Sequence, residues 1–184
     1  MHSSPNTVGD KTVLGIWVWE SEEAFADWFV GQTSIQVFSV IVDYFVPDSI
    51  QTFKWRRCVN PLMSTLPSEI LDRSKRLFDP SLDEEAFSAV LWFRPSPGEE
   101  RQFFNTLWSM ELFTRLNSGC ISFDTHIGIE SDNDDTVMVY LAFDSEIEFQ
   151  KHLNEENSII GERICVHLDD TPLLTTWNTV ELTK

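Results

Sequence analysis

Two stretches of this chain of 184 residues repeat one another in register. Thr12-Val-Leu-Gly-Ile-Trp-Val-Trp-Glu-Ser-Glu-Glu-Ala-Phe25 aligns with Thr136-Val-Met-Val-Tyr-Leu-Ala-Phe-Asp-Ser-Glu-Ile-Glu-Phe149, each residue 124 positions after its counterpart, with Thr, Val, Ser, Glu and Phe identical. The register continues without a gap through Ser34-Ile35 and Ser158-Ile159, Val42 and Val166, and Thr52-Phe53 and Thr176-Trp177. A fixed period means that one structural unit is used twice. In both copies an apolar run ends at an acidic residue and a serine that can cap a helix, with Glu in its first turn. The pattern predicts strand, helix, second helix, strand.

The second copy has more in front of it. Phe87 to Phe93 reads as a strand, Pro95 to Gly98 as a turn, and Glu99 to Asn117 as a helix. On that helix Phe103, Phe104, Leu107, Trp108, Leu112, Phe113 and Leu116 are expected on the buried side. Ile121 to Glu130 then alternates as a strand, with Ser122, Asp124, His126 and Gly128 on one face. Residues 87–181 therefore predict β-α-β-β-α-(α)-β, the α+β, ferredoxin-like split βαβ pattern. Val137 to Phe143 is apolar on both faces, so helices on one side leave a bare side that a second sheet should cover, from this chain or from another. Residues 12–58 match only the back half of the unit. The expected organisation is a partial repeat over 1–59, a linker over 60–86 with a short amphipathic helix from Ser68 to Phe78, and a complete unit over 87–184.

Charge narrows the partners. Thirteen Lys and Arg stand against 30 Asp and Glu, a formal net charge of −17. With no basic cluster longer than Arg56-Arg57, the chain would repel a nucleic-acid backbone or an anionic membrane. The longest apolar stretch, residues 35–46, is interrupted and falls short of the roughly 18 residues of a membrane span. The N-terminus lacks a secretory pattern, so a cytoplasmic protein is expected. Cys58, Cys120 and Cys165 are too scattered for a disulfide framework or a zinc site. No P-loop, GxGxxG, HExxH or GxSxG pattern occurs, and no cofactor is expected. Seven Trp and 14 Phe are unusual, and such rings fill cores or wall pockets for flat ligands.

Three motifs occur in order: Arg94-Pro-Ser-Pro-Gly98-Glu-Glu after the first strand, Ser118-Gly-Cys-Ile-Ser-Phe-Asp124 opening the second, and Phe143-Asp-Ser-Glu-Ile-Glu-Phe-Gln-Lys-His152. Together they make the second unit similar to the antibiotic biosynthesis monooxygenase family of the dimeric α/β-barrel superfamily, over about half the chain. The resemblance implies ferredoxin-like units packed sheet to sheet, as a homodimer or a pseudo-dimer, with an apolar pocket between sheet and helices. It also implies a cofactor-independent monooxygenase-like enzyme of secondary metabolism, acting on a flat aromatic or polyketide-type molecule. A decarboxylase or cyclase on the same scaffold is the near alternative, and a non-catalytic ligand-binding or assembly module the distant one. Residues 18–28 are similar to a helix of haem-degrading members, and Trp28 falls at their pocket tryptophan. Their haem-ligating histidine would be Phe38, which cannot bind iron.

Cofactor-free oxygenation asks for a base, donors for the resulting anion, and a dry site. His152 is one candidate base. It occupies the family's histidine position and follows Phe149 by one helical turn; the alternative is a helix-surface histidine. His126 is the other, sharing a strand face with Asp124, whose carboxylate can orient or charge the imidazole; the alternative is a barrel-rim residue pairing across an interface. Arg94 can hold an anionic oxygen or form a surface ion pair. Trp92, Trp108, Phe104, Tyr140 and Phe143 serve either the core or a ligand wall.

Overall fold

The computed structural model describes residues 2–3, 13–14, 19–41, 55–74, 86–129, 135–155 and 162–179. By packing, the chain divides into Met1–Leu14 with Lys54–Lys184, and Gly15–Phe53. In the larger unit the strands are β1 (His2–Ser3), β2 (Val13–Leu14), β3 (Trp55–Cys58), β4 (Phe87–Phe93), β5 (Cys120–Gly128), β6 (Val137–Phe143) and β7 (Leu173–Thr179). They form one sheet in the order β2-β1-β7-β4-β6-β5-β3, with every pairing antiparallel. At its centre, β7-β4-β6-β5 with its helices is the expected β-α-β-β-α-β unit of residues 87–181. Among the described residues, the strands of the front part join its two edges: β1 pairs with β7, and β3 with β5. Edge addition satisfies backbone groups that an open sheet would otherwise expose.

The larger unit's helices are α3 (Ser68–Leu71), α4 (Glu100–Leu116) and α5 (Glu146–Glu155). Beyond α3 a helical turn occupies residues 72–74, and the rest of the helix expected to reach Phe78 lies outside the described residues. Helix α4 buries Phe103 and Leu107 as its apolar pattern suggests, but its last turns face another way. Phe103, Leu107, Met110, Glu111, Thr114 and Arg115 are buried, while Phe113 and Leu116 are half exposed. The core on this side joins Phe103, Leu107 and Met110 of α4 and Phe149 of α5 to Phe87, Ala89, Phe93, Phe123, Val139, Leu141 and Phe143 of the sheet. Three rings from β4, β6 and α5 meet there, with Phe87 and Phe143 at 5.0 and 5.4 Å from Phe149.

The smaller unit holds α1 (Glu22–Phe29) and α2 (Gln32–Ile41). Ser21 Oγ caps α1 by accepting the Ala24 N–H at 3.1 Å. Ser145 Oγ caps α5 by accepting the Glu148 N–H at 3.3 Å. Both partners of the second bond lie 124 residues after those of the first, so the two helices begin identically on the sequence repeat. Ser34 is buried, and its hydroxyl is shared between the carbonyls of Phe29 (2.8 Å) and Gly31 (2.7 Å), which fixes the bend between α1 and α2. Phe38 lies within α2.

The turn from α4 to β5 passes very close to α5. A methyl group on Gly119 would lie 2.7 Å from Glu148 Cβ and 2.9 Å from its Cγ. The Gly119 carbonyl meanwhile accepts the Asp144 N–H at 2.9 Å, holding the backbones together. Gly119→Ala is therefore expected to cost about 1–3 kcal/mol through overpacking. Urea denaturation checks this: the midpoint should fall with an unchanged slope.

Candidate functional site

Antiparallel neighbours point to the same face of a sheet, so the register decides which side chains share a face. In β5, Ser122, Asp124 and His126 stand opposite Ala142, Tyr140 and Met138 of β6. In β4, Ser88, Val90 and Trp92 stand opposite the same three β6 residues. In β3, Arg57 stands opposite His126, and Trp55 opposite Gly128. All of these lie on the face turned away from α4 and α5. Its apolar part is Val90 and Met138, with Trp55, Trp92 and Tyr140 packed against them.

The polar groups of this face are closely connected. Arg57 donates from an Nη to an Asp124 Oδ at 2.6 Å. Ser122 donates to the other Asp124 oxygen. The Tyr140 hydroxyl and Ser88 Oγ are hydrogen-bonded at 2.9 Å. His126 is only 8% exposed. Burial pushes its pKa below the ordinary histidine value, Asp124 pulls it partly back up, and Arg57 adds to the depression. The ring is thus held neutral at pH 7. Burial also raises the Tyr140 pKa, against the lowering effect of its bond to Ser88. The phenol stays protonated.

Asp124 is tied to the helix side around the free edge of β5. Strand β3 covers β5 only from Thr125 to Gly128, so among the described residues the preceding part of β5 has no strand neighbour on that edge. Arg115 of α4 fills the gap. Its guanidinium donates to the Phe123 carbonyl, bonds Glu111 Oε1 at 3.0 Å and lies 3.8 Å from Asp124. Arg115 and Glu111 are both about 5% exposed, a buried ion pair. Burial nevertheless raises the Glu111 pKa, opposed by Arg115 and by the Asn60 amide. Asn60 also joins its own turn to α4 through the Trp108 carbonyl at 2.9 Å.

Of the residues singled out in the sequence, Asp124, His126, Tyr140 and Trp92 come together here. The others do not. His152 lies on the opposite side of the sheet and is 2% exposed, which excludes the helix-surface alternative. Its Nε2 is 3.1 Å from Thr114 Oγ1, and its ring packs 5.3 Å from that of Phe143. Phe104 and Trp108 are on α4, with their rings 5.9 Å apart. Arg94 is held at the exit of β4 by Asp135 (3.3 Å) and Asp170 (3.7 Å), the ion-pair alternative. Trp28 belongs to the smaller unit, where its ring packs 5.0 Å from Trp19. Sequence reasoning missed Arg57, Trp55, Glu111 and Arg115. The i,i+4 spacing of Glu111 and Arg115 was the one signal available for that pair. Cys120 is buried and its thiol pKa is pushed up to about 12, so it is inert.

No family model matches the chain, and no curated protein is similar to it in sequence. Solved structures do share its fold. One, described as an anthrone oxidase-like protein, superposes with a TM-score of 0.60 at 13% identity, over 98% of this chain and 75% of that one. A candidate monooxygenase of Fusobacterium nucleatum gives 0.59 at 9%, over 89% and 67%. One of Lactobacillus acidophilus gives 0.58 at 8%, over 86% and 66%. The structural neighbours are thus an anthrone oxidase-like protein and two candidate monooxygenases. The fold is the ferredoxin-like α+β architecture that the motifs imply, and at these identities the likeness defines fold alone. Among the described residues, no helix is long and apolar enough to cross a membrane, and no His, Cys, Asp or Glu cluster is arranged to hold a metal ion.

The buried pair at the β5 edge is open to a direct test. Arg115→Ala should cost about 3–5 kcal/mol, because Glu111 and the Phe123 carbonyl are left buried without their partner. Replacing both residues by apolar ones, Glu111→Leu with Arg115→Met, should recover much of that loss. Equilibrium unfolding at pH 7 measures both.

Proposed function

We propose that the chain is a cofactor-independent oxygenase of a flat hydroxylated aromatic molecule, with His126 as its general base. One observation carries this reading: a buried, neutral imidazole on the helix-free face, flanked by Asp124 and near a protonated tyrosine. A neutral ring can take a proton, and the neighbouring carboxylate stabilises the imidazolium that results. Tyr140, which is bonded to Ser88, offers its hydroxyl to an oxyanion. Trp55 and Trp92, with ring centroids 5.5 Å apart, supply an aromatic wall. His152 is the second candidate base. Its bond to Thr114 and its packing against Phe143 suit a peg between α4, α5 and β6 better than proton transfer.

In the reaction, His126 removes a proton from an activated methylene or from the phenol conjugated with it. The carbanion gives an electron pair to dioxygen, forming a carbon–oxygen bond. Return of the proton yields a hydroperoxide, which loses water to leave a carbonyl. The methylene carbon is oxidised by four electrons, and dioxygen is reduced to the carbonyl oxygen and water. A neighbour described as anthrone oxidase-like suits that change. A decarboxylase or cyclase would use the same base, but would work without oxygen. The same reading includes action on polyketide-type substrates, a cytoplasmic location and a homodimer, the last to be checked by mass in solution; sheet-to-sheet packing in that dimer would enclose His126 and Tyr140 between two sheets. The two sequence units, 1–59 and 87–184, are read as copies of one module joined by 60–86, in keeping with the matched caps of α1 and α5.

On a panel of anthrones and naphthols, oxygen uptake should fall by about 10²–10⁴-fold in His126→Ala. In the wild type, kcat/KM should fall as the pH drops below the depressed His126 pKa. Unchanged uptake in His126→Ala rejects the base assignment, and anaerobic release of carbon dioxide points to the decarboxylase instead.

A further inference from the structure

Buried polar groups in folded proteins are nearly always paired, so a group of unpaired ones in one place calls for an explanation. Among the described residues, three such atoms belong to α4 and β5 on the helix side of the sheet. They are the indole N–H of Trp108, the Glu111 oxygen Oε2 and the hydroxyl of Thr125. Glu111 is 4% exposed and Thr125 1%, so bulk water does not serve them. The other Glu111 oxygen is held by Arg115 at 3.0 Å.

Cys58 is the common neighbour of all three. It stands opposite Thr125 in the ladder of β3 and β5, so the two side chains share a face. Burial raises the pKa of its thiol, Glu111 raises it further, and the nearby Trp108 indole lowers it, which places both α4 residues beside it. Asn60 adjoins the same two residues, donating to the Trp108 carbonyl and lowering the Glu111 pKa. The unpaired atoms therefore gather where α4 meets the β3–β5 ladder. That place owes its outer wall to β3, a strand added to the edge of the β-α-β-β-α-β unit. It is not sealed, because Cys58 and Trp108 are only half-buried.

The chemistry of the three atoms defines what they would hold. An indole N–H only donates, a carboxylate oxygen accepts, and a threonine hydroxyl does either. A hydroxyl group on carbon has one donor and two acceptor sites, which matches all three. No net charge is called for, because Arg115 already balances Glu111. The half-buried rings of Trp108 and Phe104, 5.9 Å apart, offer apolar contact to the rest of such a molecule. We propose that the meeting of α4 with β3 and β5 is a second binding site, for a small neutral molecule of the phenol class, its hydroxyl donating to Glu111 and accepting from Trp108 and Thr125. The site lies across the sheet from His126 and does not depend on what covers the helix-free face.

Binding alone tests the proposal. Phenol and its apolar isostere toluene are titrated into the full-length protein by calorimetry, and proton–nitrogen NMR follows the Trp108 side-chain N–H, assigned by its loss in Trp108→Phe. Phenol should bind about tenfold more tightly than toluene, the worth of a hydrogen bond to a charged group, and should move the Trp108 signal. Trp108→Phe keeps a ring and removes the donor, and Thr125→Val keeps the shape and removes the hydroxyl. Each should weaken the preference and the pair should abolish it, while His126→Ala should leave it intact, with circular dichroism reporting the fold of each variant. Toluene binding as tightly as phenol, a Trp108 signal that phenol leaves unmoved, or a preference that survives the double substitution overturns the proposal. So does the absence of phenol binding, the result for a site that takes water alone. The oxygenase reading is tested separately: oxygen uptake that persists in His126→Ala overturns that reading and leaves this site standing.

Discussion

The register of β5 between its two neighbours is the constraint on which the candidate site depends. A strand has a period of two, so a slip of one residue against β6 would send Asp124 and His126 to the helix side and bring Phe123 and Thr125 to the bare side. The slip is prevented from both directions. Phe123 is wholly buried in the core beneath α4, while Asp124 is held on the other face by Arg57 and Ser122. The irregularity between Cys120 and Ser122 absorbs the mismatch where the strand leaves the turn at Gly119.

The same strand joins the two sides of the sheet electrostatically. Glu111 and Arg115 are charges that α4 buries, an arrangement that costs desolvation and is retained where it fixes a geometry. Here the geometry is the open edge of β5. Arg115 satisfies a carbonyl that β3 does not reach and approaches Asp124 from behind, so the carboxylate beside His126 is fixed from the front by β3 and from the back by α4. A helix on one face of the sheet thereby holds a group that acts on the other.

Much of this was legible in the sequence, for local reasons. Strand β6 is an unbroken apolar run and β4 is one but for Ser88, and Ser21 and Ser145 mark helix starts because a short hydroxyl side chain satisfies an unpaired N–H. The sharing of a face by Asp124 and His126 followed from alternation alone. Features that depend on distant pairing were not legible. Nothing near Trp55 says that it will join the edge of β5, so the sequence does not place Arg57 beside His126 and points to Arg94 as the cation instead. Helix α4 misled for a related reason. Phe113 and Leu116 are apolar and Glu111 and Arg115 charged, so solvation argues for the first pair inward. The need to cap the β5 edge, visible only in three dimensions, turns the last part of the helix the other way, while Phe103 and Leu107 stay inward as expected.

The account stands on a neutral, buried imidazole at position 126 whose proton affinity is set by burial and by its neighbour Asp124. Site-specific NMR titration of the His126 ring, in the wild type and in Asp124→Asn, tests this most directly. The wild-type ring should titrate below the ordinary histidine value, and lower still once the carboxylate that favours its charged form is gone. A ring that titrates at or above the ordinary value and takes no notice of Asp124→Asn would contradict the account.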